Sequence, residues 1–148
     1  TIWERWNSMM PDRTIPDNGM NSFNHYSYGA IGDWLYRDAV GLHEGSAGFK
    51  TIIVKPHPGA DFTHMKASQL TPYGRAEDEW QKRDGAFLLR VVIPANTTAE
   101  IYVPSASADS VTLDGKAINA SPDARVVGHA DGYTRIAIGS GNYLFETK

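Results

Sequence analysis

The chain has 148 residues, 41% of them hydrophobic and 21% charged, enough for one ordinary domain with a core and too apolar for full-length disorder. Its net charge of −3 comes from acids and bases mixed along the sequence, with no basic run to neutralise phosphates, so nucleic acid is not an expected partner. Zero cysteines exclude disulfides and thiolate metal sites, and no apolar run reaches the roughly 20 residues that cross a bilayer; the compartment stays undetermined.

The chain opens at Thr1 without a methionine, as expected of a piece of something longer, and reads "TIWERW". Glu4 between Trp3 and Trp6 has two readings: a solvated acid beside core aromatics, or a carboxylate walled by flat apolar faces that suit a sugar. From Ser22 to about Val40 the absence of proline predicts a helix, with Asn21 or Ser22 available as N-cap. At helical spacing His25, Gly29, Gly32 and Tyr36 share one side, and Ala30, Ile31, Trp34 and Leu35 the other. A helix apolar nearly all round belongs inside a larger domain, so residues 1–48 read as the tail of a helical domain. Gly29 and Gly32 each cost on the order of 1 kcal/mol against Ala, which close approach of another helix would offset.

"GSAG" (45–48) reads as a flexible inter-domain connection. Beyond it the pattern turns to short β-rich runs: "TIIVKP", "RAEDEWQ", "FLLRVVIP", "AEIYVP", "SVTL", "KAI", "ARVVG", "YTRIAI" and "NYLFE". Turn signals between them, Asp84-Gly85 and Asp114-Gly115 among them, recur about every 8 to 12 residues, the spacing of an antiparallel sandwich. Residues 49–148 are therefore expected to form an all-β domain of about eight or nine strands. This half shows no concentrated polar constellation and no clustered row of aromatics. Its expected role is a structural buttress, with a carbohydrate-binding module as the alternative. Tyr73 and Trp80 could form a sugar platform, although burial is the more frequent fate of such aromatics. His57, His64 and His129 lack metal-ligand spacing, so no metal or cofactor is assigned.

The ordered strings "TIWERW", "PDNGMNSFNHYSYGAIGDWLYR", "GFKTIIVKPHP", "ASQLTPYGRAEDEW", "IPANTTAEIYVP" and "IGSGNYLF" resemble the C-terminal end of bacterial α-L-rhamnosidases of glycoside hydrolase family 78. The resemblance implies a mainly β chain: the short helical remnant of an (α/α)6 barrel over residues 1–48, then a C-terminal antiparallel β-sandwich over 49–148. It also implies that Glu4 is the catalytic base, that His25 contacts the sugar with Trp3 and Trp6 walling the site, and that a rhamnose-containing glycoside or polysaccharide is cleaved with inversion. The general acid of such enzymes lies upstream in the barrel, a partner domain of the same chain, so these residues alone are expected to be inactive.

Overall fold

A computed structural model describes residues 1–16, 19 and 21–147. The chain divides into two compact units, Thr1–Trp34 and Leu35–Lys148.

The first unit is mostly irregular, and its helical part is a 3-10 turn, Tyr26–Gly29, followed by a short α-helix, α1, Ala30–Trp34. The single helix expected from Ser22 is thus corrected at its start. His25 is extended (φ −68°, ψ 140°), and its own ring serves as the N-cap by accepting the Ser27 N–H. Ser22 and Asn21 do not cap it, because Ser22 is drawn into pairing with the N-terminal strip described below.

The second unit begins with a π-type turn, Leu35–Val40, whose last two residues, Ala39 and Val40, are buried. Gly41 closes it by donating its N–H to the Tyr36 carbonyl at 2.9 Å. Its φ of +98° is open to glycine, and a Cβ there would stand 2.2 Å from the Lys55 carbonyl carbon. The chain then builds a two-sheet sandwich of eleven strands among the described residues: β1 Leu42–Glu44, β2 Thr51–Val54, β3 His64–Thr71, β4 Gly74–Arg83, β5 Ala86–Ile93, β6 Thr98–Pro104, β7 Val111–Leu113, β8 Lys116–Ala117, β9 Ala124–Ala130, β10 Tyr133–Ile138 and β11 Gly141–Thr147. One sheet has the order β1-β2-β6-β10-β9 and the other β3-β4-β5-β11-β7-β8. Every pairing is antiparallel except β2 with β6.

Alternation along the strands makes the core. Leu89, Val91 and Ile93 of β5 face Ile101 and Val103 of β6 and Ile136 of β10 in one buried cluster. Trp80 lies fully inside, stacked on Phe87 at 5.8 Å, and donates its indole N–H to the Ala39 carbonyl at 3.0 Å. The platform reading of Trp80 is thereby corrected: its alternation with Ala76 places it on the inward face. Tyr73 stays partly exposed, with the Lys50 ammonium 5.1 Å from its ring centre. Thr134, the buried polar residue of β10, shares its hydroxyl with Ser105 Oγ at 2.7 Å, so its burial leaves no orphan.

Hairpin turns match the sequence signals. Asp84 and Gly85 both take positive φ, as do Asp114 and Gly115, the conformation that suits the twist of two-residue hairpins. Two strands add to the expected set. In β3, Met65 and Ala67 alternate with polar residues and pack on the core, but the run lacks β-branched density. β1 is too short for a periodic signal, and it turns "GSAG" from the expected inter-domain connection into the loop of the β1–β2 hairpin.

Candidate active site

The site residues expected from the sequence lie in the first unit. The N-terminal strip and the stretch before the 3-10 turn pair across each other: Glu4 donates its N–H to the Ser22 carbonyl, and His25 donates its N–H to the Ile2 carbonyl, both at 2.8 Å. Trp3 meets Phe23 edge to face at 5.3 Å, an apolar contact that fixes the strip. Ser22 also donates its backbone N–H to Glu4 Oε2 at 2.8 Å. A charge-assisted bond of this kind restrains the side chain as well as its backbone. Oε1 has no protein partner among the described residues.

Trp3, Glu4, Arg5 and Trp6 line, with Thr1 and Ile2, an open concavity of about 760 Å³. Trp6 is fully exposed, whereas Trp3 is 41% exposed with part of its ring covered by Phe23. Both tryptophans also border a second depression of about 490 Å³ with Met9, Met10 and Arg13. His25 is placed differently. Its Nδ1 accepts the Ser27 N–H at 3.1 Å, which leaves Nε2 to carry the proton of a neutral ring, and the ring lies against Tyr26 at 4.5 Å. The described lining of the concavity contains Glu4, Trp3 and Trp6 and does not contain His25.

Two features were not legible in the sequence. Ser22 is the partner of Glu4, where sequence reasoning offered it as a cap. Arg5, beside the candidate acid, has Nε and one terminal nitrogen (Nη2) buried without a hydrogen-bond partner, and both polar atoms of the Asn21 amide are in the same condition. Buried donors of that kind cost free energy unless something accepts from them. A three-residue spacing rule could have flagged neither, since both depend on chain reversal between residues 6 and 21. Asp17, Asn18 and Met20 of the "PDNGM" string lie outside the described residues.

In the second unit three of the four remaining histidines have separate partners, while His43 Nδ1 is buried without a hydrogen-bond partner among the described residues. His64 Nε2 lies 3.2 Å from Glu79, His129 Nε2 3.0 Å from the Ser105 carbonyl, and His57 Nδ1 3.3 Å from the Asp38 carbonyl. Among the described residues no three His, Asp or Glu side chains converge as a metal site would require.

Known proteins resemble the chain along its whole length. The family model of the bacterial alpha-L-rhamnosidase C-terminal domain matches residues 41–117, and that of the bacterial alpha-L-rhamnosidase 6 hairpin glycosidase domain matches residues 1–39. An alpha-L-rhamnosidase of Streptomyces avermitilis is 36% identical over 146 residues, covering 98% of this chain and 13% of the relative. One of Formosa agariphila is 36% identical over 148 residues, covering 100% of this chain and 16% of the relative. Among solved structures, the Streptomyces avermitilis alpha-L-rhamnosidase complexed with L-rhamnose superposes with a TM-score of 0.81 at 36% identity, over 100% of this chain and 14% of that one. The alpha-L-rhamnosidase from Dictyoglumus thermophilum gives 0.79 at 33% identity, over 100% of this chain and 16% of that one.

Proposed function

The chain belongs to the bacterial α-L-rhamnosidase family, and from that premise we propose that it is the C-terminal part of an enzyme that removes terminal α-L-rhamnose from rhamnosides with inversion. It spans 13% to 16% of the curated relatives named above. In this reading the residues ahead of β1 contribute to the helical catalytic domain, and the sandwich, which begins with β1 rather than at residue 49, buttresses it.

The observation that carries the reading is the restraint of Glu4. One carboxylate oxygen is bonded to the Ser22 N–H, while the other has no protein partner among the described residues, in a concavity shared with Trp3 and Trp6. A general base needs that arrangement: a carboxylate held still, with one oxygen available to a water. The water oxygen bonds to the anomeric carbon as the glycosidic C–O bond breaks. Its proton passes to Glu4, and a second carboxyl group on the opposite face delivers a proton to the leaving oxygen. Inversion needs the two carboxyl groups roughly 6.5–9.5 Å apart, leaving room for the water. The second carboxyl comes from the helical domain upstream. Trp3 and Trp6 offer apolar faces to the sugar's C–H bonds, and His25 Nε2–H can donate to a hydroxyl of rhamnose.

The test is Glu4→Gln in the parent enzyme, assayed on an aryl α-L-rhamnoside with the first-formed anomer followed by NMR. The expected result is a fall in kcat of about a thousandfold or more with the fold retained, and β-rhamnose as the initial product of the unaltered enzyme. Near-normal turnover by the variant rejects Glu4 as the base; initial α-rhamnose rejects inversion. The 148-residue chain alone should release no rhamnose, and measurable release would contradict the need for an upstream acid.

A further inference from the structure

The two outer faces of the sandwich carry different sets of side chains. On the β3-β4-β5 side, several bases and acids pair, His64 and Lys66 on Glu79 at 3.2 and 3.0 Å and Arg75 toward Glu77 at 4.0 Å, while the exposed Arg90 has no acid partner among the described residues. Paired exposed charges of this sort make an ordinary solvated surface. On the five-stranded sheet, inward residues such as Ile52, Ile101 and Ile136 alternate with an outward set that register assembles into two transverse rows. Glu100 opposes Ala137, which opposes Arg125. One step along, Tyr102 opposes Arg135, with Lys55 following β2 beside it and Tyr133 on the next diagonal.

Glu100, Tyr102, Tyr133 and Arg135 are held by hydrogen bonds. Arg135 grips Glu100 through two nitrogens, at 3.0 and 3.1 Å, and Tyr102 donates its hydroxyl to the same carboxylate at 3.1 Å. Tyr133 donates its hydroxyl to the Pro56 carbonyl at 2.9 Å and stands edge to face with Tyr102, ring centres 6.4 Å apart. The Lys55 ammonium lies 5.3 and 5.6 Å from the two ring centres. Both tyrosines are partly exposed. Glu100 also lines, with Asp123 and Arg125, a concavity of about 440 Å³ toward the Thr51 and Thr98 end of the sheet. Lys55 and Arg125 have no acid partner among the described residues; the Lys55 ammonium faces the two tyrosine rings instead.

We infer that this face is a saccharide-binding subsite, separate from the catalytic concavity, that takes a stretch of the polymer bearing the terminal rhamnose. It rests on the rhamnosidase reading for the identity of the polymer. A sugar chain presents hydroxyls that donate and accept together with C–H faces. The rows supply acceptors in Glu100 and Asp123, donors in Lys55, Arg125 and Arg135, of which Glu100 and Arg135 are held by one another, and aromatic surface in Tyr102 and Tyr133. Three cations against two acids leave the patch close to neutral, which does not suit a polyanion. From Lys55 to Arg125 the site spans four strands, about 14 Å at the usual strand spacing, the reach of a short oligosaccharide.

The test uses full-length enzyme carrying Glu4→Gln to stop hydrolysis, run in native gels cast with rhamnogalacturonan, dextran or heparin, with and without saturating L-rhamnose to fill the catalytic site. Rhamnogalacturonan should retard the protein even in saturating rhamnose. Tyr102→Ala and Arg125→Ala should each weaken that retardation about tenfold, and Lys66→Ala on the opposite face should leave it unchanged. In the otherwise unaltered enzyme, Tyr102→Ala and Arg125→Ala should raise KM for the polymer and leave hydrolysis of an aryl rhamnoside within about twofold. Loss of retardation on adding rhamnose, equal loss in Lys66→Ala, or stronger retardation by heparin overturns the subsite. Failure of the unaltered enzyme to cleave the aryl rhamnoside overturns the rhamnosidase reading instead and leaves the binding result standing.

Discussion

Ser22 holds Glu4 twice: its carbonyl accepts the Glu4 N–H and its own N–H bonds Oε2, each at 2.8 Å. The serine hydroxyl takes no part in either bond. It accepts the Asn24 N–H at 3.2 Å instead. Ser22→Ala in the parent enzyme should therefore leave kcat within about twofold. Ser22→Pro, which removes the N–H, should lower kcat about 10- to 100-fold, the worth of a hydrogen bond to a charged group. Circular dichroism separates this loss from unfolding.

Gly41 is where the π-type turn meets the sandwich, and its environment leaves no room for a side chain. Gly41→Ala combines a left-handed φ with a Cβ inside the Lys55 carbonyl carbon's radius, at 2.2 Å. The Lys55 N–H also bonds the Gly41 carbonyl at 2.9 Å, so backbone retreat breaks that bond. The substitution should destabilise by more than about 3 kcal/mol, read as a fall in the urea midpoint.

Trp80 separates packing from hydrogen bonding at one position. Trp80→Phe keeps an aromatic against Phe87 but removes the donor to the buried Ala39 carbonyl, for an expected cost of about 1–3 kcal/mol. Trp80→Ala adds a cavity and should cost about 3–5 kcal/mol. Equilibrium denaturation of the two variants gives the difference directly.

Asp78 sets a pH dependence. It stands between Ala67 and Val91 on the inward face of β4, with both carboxylate oxygens buried and without a hydrogen-bond partner. Burial pushes its carboxyl well above the ordinary value of 3.8, and the charge of neighbouring Glu79 pushes the same way. The folded state therefore keeps a proton that the unfolded chain releases. This contribution is fully present below the unfolded value near 4 and is lost as pH rises from there toward the raised folded value. Asp78→Asn should remove that fall, which can reach about 1.4 kcal/mol per pH unit, and raise Tm at pH 7 more than at pH 4. Equal Tm shifts at the two pH values would reject the assignment.

How much the sequence discloses depends on how local the signal is. Strands β2, β5, β6, β10 and β11 carry β-branched or aromatic alternation and are bounded by turn residues, so they are read directly, and β4 is read from the Asp84-Gly85 turn that joins it to β5. β3 takes its conformation from an eight-residue register with β4 rather than from its own composition, and β1 from pairing with β2. The strip from Trp3 to Trp6 is recognisable, while the Ser22 contact to Glu4 depends on a chain reversal that no spacing rule encodes. The saccharide face is hidden for a related reason. Lys55, Tyr102 and Arg135 are distant in sequence, and only the order β2-β6-β10 sets them in one row.

The parallel partnership of β2 with β6 also governs the order of assembly. Thr51 pairs with Thr98, 47 residues later (98 − 51), whereas β3, β4 and β5 follow one another as hairpins. Loop-closure entropy makes the distant pairing late and the hairpins early. On the ribosome β2 must wait, its hydrogen-bonding edge open, until the whole β3–β5 meander has emerged and β6 follows it. A nascent chain stalled before residue 98 would thus display an unpaired, Ile- and Val-rich edge, the point at which a chaperone would be expected to hold it.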